Sequence, residues 1–151
     1  MAEYELARTS IVAFHGKTQG IGIHFITRAS GHFESCIWSL ERFIKHAKAL
    51  RSATFIPADL RDLVPRQSSF LQSPVEKQIT RMRHTLAHLE GEALKGLLPQ
   101  GSNIILLAID RGLSVGGHIV EWKELIAWLQ DVHATGAALA DYLPQRSKRS
   151  P

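Results

Sequence analysis

The sequence predicts a mainly α-helical bundle carrying one or two short β-hairpins. Three observations predict it. Three long segments repeat apolar residues every three or four positions, the period of a helix with one buried face. Proline and glycine punctuate the chain between them, at Pro57, Pro65, Pro99, Gly101 and Pro144. Only residues 9–28 and 104–120 carry the shorter apolar runs and turn residues expected of paired strands.

Taken in order, Ile11 to Phe14 is a short apolar run, His15 to Gly20 reads as a turn, and Ile21 to Ile26 alternates. A β-hairpin over 9–28 is the first reading, with an interrupted helix as its competitor. Residues 31–51 form a helix on Phe33, Ile37, Leu40, Ile44 and Ala47, with Trp38 and Phe43 widening its apolar face. Residues 52–72 are a connection with one helical turn at Asp59 to Leu63. A helix over 73–98 opens with Ser73 as N-cap, Pro74, and Glu76 three residues on. In that capping box the hydroxyl and the carboxylate each take an orphan N–H. Its stripe is Val75, Ile79, Met82, Leu86, Leu89, Ala93 and Leu97. Ile104 to Ile109 has strand length, Asp110 to Gly112 is a turn, and Leu113 to Val120 is the return strand. The last helix runs from about Glu121 to Leu143 on Leu125, Trp128, Leu129, Val132 and Leu139. Trp38, Trp122 and Trp128 all read as core residues. Residues 1–144 are expected to make one domain, and 145–151 a basic, disordered tail.

The net charge of +4 and the sequence pI near 9.5 favour a polyanionic partner over an acidic one. No apolar run approaches the roughly 20 residues that span a bilayer, and the first residues do not read as a leader. The lone Cys36 excludes an intramolecular disulfide and a cysteine-rich zinc site. A cytoplasmic protein with no membrane association is the expectation.

Most short motifs dissolve on inspection. Gly16-Lys17-Thr18 resembles the end of a phosphate-binding loop, but Ile11 stands where that loop needs its first glycine. Gly20-Ile21-Gly22 lacks the third glycine of a dinucleotide fingerprint, because Phe25 occupies it. His84 and His88 have the i,i+4 spacing that can share a metal ion. The glutamate of the zinc-protease pattern is absent, since Thr85 follows His84. No metal and no cofactor is expected.

What remains is Arg83, His84 and His88 in the best-defined helix, off its apolar stripe. A guanidinium can stabilise charge on a phosphate, and an imidazole titrating near neutrality can move protons. The plain alternative is a solvated polar face or an inert dimer contact.

This helix resembles the signature of the HEPN superfamily of nucleotide-binding helical domains. There an Arg, a polar residue, three variable residues and a His lie on a late helix of a small bundle. Arg83, His84, Thr85-Leu86-Ala87 and His88 fit that order. The resemblance is specific over 73–98 and architectural elsewhere. It implies a metal-independent endoribonuclease acting as a homodimer, in which two motif helices face each other. RNA is the implied substrate, and a toxin or defence effector with an antitoxin or other protein partner the implied setting. His88 would transfer protons, Arg83 would clamp phosphate, and His84 would position substrate or polarise His88. One toxin subgroup has a modifiable tyrosine two residues after the His; this chain has Glu90. Glu90 and Glu92 also add negative charge beside the motif.

A second reading is a non-catalytic helical module that dimerises or binds a nucleotide or a protein. The two diverge in where the motif face points. An open basic cleft favours the enzyme, whereas a packed face with the arginine paired to a glutamate favours the module.

Overall fold

A computed structural model describes residues 1–15, 22–97 and 105–142. Within them lie five α-helices and a three-stranded antiparallel sheet: α1 (Ala2–His15), α2 (Gly22–Ser52), α3 (Ala58–Asp62), α4 (Ser73–Leu94), β1 (Leu107–Ile109), β2 (Gly112–Val115), β3 (His118–Glu121) and α5 (Trp122–Ala140). The mainly helical class expected from the sequence is what the chain adopts.

The 31-residue α2, about 46 Å long at 1.5 Å per residue, is the axis of the molecule. Phe33, Ile37, Leu40, Ile44 and Ala47 bury along one side of it. They join Phe70, Ile79, Met82, Leu113, Val120 and Leu125 in a core shared by α1, α2, α4, α5 and the sheet. Phe33, Tyr4 and Trp122 form an aromatic knot with ring centroids 5.4–6.4 Å apart, which seats α1 and the start of α5 against α2.

The hairpin expected over 9–28 is not formed. Residues 9–15 belong to α1 and 22–28 to α2, while 16–21 lie outside the described residues. The reason is packing. Tyr4, Ala7 and Ile11 keep helical spacing across residue 9, and they face the core. A window opened at residue 9 cuts that stripe in half. Glu3 and Glu5 in the first turn also suit the positive end of a helix.

The connection 52–72 does contain the expected helical turn, as α3, and a 3₁₀ turn at Ser69–Leu71. Val64 and Phe70 pin it to the core, with Phe70 edge-on to Phe43 at 5.6 Å. The Ser69 hydroxyl and amide donate to Asp131 Oδ2 at 2.6 and 3.1 Å.

Two details of α4 differ from expectation. The Glu76 amide bonds the Gln72 carbonyl at 3.1 Å, so Gln72 caps the helix. The Glu76 carboxylate pairs with Lys48 of α2 rather than closing a box on Ser73. The helix also stops at Leu94, before a left-handed Gly96 (φ +66°), leaving Leu97 67% exposed. A reciprocal capping box does occur, between Glu121 and Glu124 of α5.

The second strand region is a meander rather than one hairpin. The expected return strand 113–120 is divided by Gly116 and Gly117, at φ +52° and +82°. Two consecutive residues with positive φ make the tight turn whose twist matches paired strands. Ile109 faces Gly112 across one turn, and Val115 faces His118 across the next. Both flanks of the sheet are tied to helices. The Ser30 hydroxyl of α2 donates to the Leu106 carbonyl at 2.7 Å, and Gln78 Nε2 of α4 donates to the Ile119 carbonyl at 2.9 Å.

Of the three tryptophans, Trp128 is buried as expected. Trp122 is partly buried, with its indole N–H donating to the Ile109 carbonyl at 2.9 Å. Trp38 is 39% exposed, which corrects its core assignment. It lies beside the main stripe of α2, on the side facing α4. The basic tail 145–151 lies outside the described residues. No helix among the described residues is long and apolar enough to cross a membrane.

Candidate functional site

Helix α4 has three sides, and each has a different use. Val75, Ile79 and Met82 bury in the core, with Leu86 partly buried behind them. The second side is a seam against α2, and the third is open to solvent.

Arg83 belongs to the seam. Its Nε donates to Glu41 Oε2 at 3.1 Å, and its guanidinium lies 4.7 Å from the centre of the Trp38 ring. Glu41 is only 4% exposed, and Lys45 Nζ approaches its other oxygen at 3.0 Å. A buried carboxylate is costly unless cations and hydrogen bonds meet it, and two cations meet this one. Further along, Lys48 pairs with Glu76, so the seam is a ladder joining antiparallel helices. The cationic head of Arg83 is thus shared with an anion from its own fold. Its two terminal nitrogens make no hydrogen bond among the described residues.

His84 and His88 belong to the open side. Both are exposed, and their ring centroids are 4.4 Å apart at an angle of 53°. No hydrogen bond or ring contact joins either of them to Arg83 among the described residues. At about 100° per residue, Arg83 is turned some 140° from His88, and the fold uses that offset to send them to different sides. The side chains of Glu90 and Glu92 lie outside the described residues.

The open side holds two residues that the motif alone did not single out. Lys77, Arg81, His84 and His88 follow at intervals of four, three and four. They therefore form one stripe about 16 Å long on an ideal helix. All four are exposed, and none meets an acidic side chain among the described residues. The signal was present in the sequence as a second, cationic 3–4 periodicity superposed on the apolar one.

Facing the lower half of this stripe is the β2–β3 turn. Lys77, Gln78 and Arg81 line a cavity of about 620 Å³ with Gly117, His118 and Ile119 opposite. Its walls are fixed. Gln78 bonds the Ile119 carbonyl, and the buried Thr85 lies so close to Gly116 that a Cβ there would sit 2.6 Å from the Thr85 methyl.

Chemically, this is a cleft lined by the cations Lys77 and Arg81 and the imidazole of His118, suited to phosphate oxygens. Among the described residues no three His, Cys, Asp or Glu side chains are grouped to hold a metal ion. No protein-family model, no curated protein and no solved structure matches the chain.

Proposed function

We propose that this chain is a polyanion-binding helical module that engages single-stranded RNA along the open side of α4. The observation that carries the reading is the stripe Lys77, Arg81, His84 and His88, aligned, exposed and without acidic partners among the described residues, with His118 across the cleft. Phosphate backbones are bound by rows of cations that release condensed counterions. The placement of Arg83 in the seam, where it pairs with Glu41, favours a binding module over catalysis. In the HEPN-like frame this would be a member that binds without cutting.

The test is anisotropy of a labelled mixed-sequence single-stranded RNA across a salt series. Wild type should bind with a negative log–log salt slope. Lys77→Gln/Arg81→Gln should flatten that slope by about 1.4, at about 0.7 per phosphate contact. Absence of RNA binding at low salt would sink the reading.

The second reading is a metal-independent endoribonuclease, acting as a homodimer. It is favoured by the adjacent, exposed imidazoles of His84 and His88 and by the unclaimed terminal nitrogens of Arg83. One imidazole could take the 2′-hydroxyl proton while another group protonates the leaving 5′-oxygen. Its test is incubation of an RNA pool in EDTA with wild type and His88→Ala. Cleavage by wild type alone would favour the enzyme, and RNA bound but uncut would leave the module.

A further inference from the structure

Away from α4, the end of α2, the short α3 and the loop after it enclose a polar cavity of about 310 Å³. Its lining includes Arg51, Arg61 and Arg66, with Asp62 as the one acidic side chain. The three guanidiniums and one carboxylate leave a net charge of +2 around the space. None of the three arginines makes an ion pair or a side-chain hydrogen bond among the described residues, with Asp62 or with anything else. Asp59, the other acid of α3, is engaged by the Tyr142 hydroxyl at 2.8 Å.

Arg51 alone would need no ligand. It stands in the last turn of α2, where a cation is favoured by the unpaired carbonyls. Arg61 is different. Its Nε is shut off from solvent and meets no acceptor. That burial holds the guanidinium in place, and its terminal nitrogens, which carry no hydrogen bond among the described residues, are the donors left to meet a ligand in the cavity. The two terminal nitrogens of one guanidinium present parallel donors at the spacing of two oxygens of a phosphate or carboxylate. Arg66, exposed at the rim, can close over such a group from outside.

We propose that this cavity binds a dianionic phosphate monoester carried on a small organic body. The +2 balance matches a terminal phosphate better than the single charge of a diester. The volume exceeds what a bare phosphate fills and lies at the small end of ligand sites. The phosphate could belong to a free nucleotide-like metabolite or to the 5′ end of an RNA. The site does not rest on the α4 reading, with which it shares no lining residue.

The experiment is calorimetric titration of the full chain with adenosine monophosphate and with adenosine as control. Short RNAs bearing a 5′-phosphate or a 5′-hydroxyl make the second arm. Adenosine monophosphate should bind saturably and adenosine should not. Arg61→Gln and Arg66→Gln should each weaken binding by roughly tenfold, the worth of one charge-assisted contact. Lys77→Gln/Arg81→Gln should leave it unchanged. Preference for the 5′-phosphorylated RNA, lost in Arg66→Gln, would identify an RNA end as the source; its absence, with the monophosphate still bound, would identify a metabolite. Arg66 is exposed, so that variant folds even if Arg61→Gln does not. The proposal is overturned if the monophosphate fails to bind, if Arg66→Gln binds as wild type does, or if the α4 variant abolishes the binding.

Discussion

Glu41 and Arg83 show how one side chain can matter to a fold while looking like part of a site. Arg83→Ala would leave the buried Glu41 with Lys45 alone and strip the cover from Trp38. A loss of about 1–3 kcal/mol in unfolding free energy is expected from a partly orphaned buried carboxylate. A double-mutant cycle with Glu41→Gln should return a coupling on that scale, measured by denaturant titration. Additivity of the two substitutions would mean the pair is incidental. Burial acts on Cys36 as well, pushing its thiol up to about 11. Only the thiolate is the nucleophile, so native protein should resist alkylation at pH 8 while unfolded protein reacts freely. Arg83 could be singled out in the sequence because its neighbours on one helix are local. Its partner 42 positions away could not, since nothing in the sequence pairs Glu41 of α2 with a residue of α4. Periodicity reports which side of a helix is polar, and is silent on what that side meets.

At the scale of elements, the β2–β3 turn is the most constrained joint. Gly116→Ala would force a side chain into positive φ and against the Thr85 methyl, whereas Gly117→Ala would meet strain in open space. The first should cost about 2–4 kcal/mol and the second about 1–2, from the left-handed penalty with and without a clash. Thr85→Ser should recover part of the first loss and none of the second, as thermal unfolding can test. The glycine pair stands in the sequence as a possible break, but the apolar residues Leu113, Val115, Ile119 and Val120 on either side of it read as one strand. α1 was lost for the reverse reason. Its stripe is short, begins at Tyr4 and includes the small residues Ala7 and Ser10, which bury well yet carry little hydropathy signal. Helices α2, α4 and α5 were legible because large aliphatic residues repeat over many turns.

At the scale of the whole molecule, oligomeric state separates the two functional readings most cleanly. The endoribonuclease reading requires two α4 helices face to face, and under it the chain should sediment as a dimer at a concentration on the order of 10 µM. A strict monomer that still binds RNA would remove the paired-site mechanism and keep the module. The sheet adds a consequence of another kind. A three-stranded meander has two raw edges, and any extended segment from a neighbouring molecule could template on them. Here Ser30 and Gln78 each place a donor on a carbonyl at one of those flanks. Two ordinary hydrogen bonds thereby occupy carbonyls at the flanks of the sheet that an incoming strand would otherwise use.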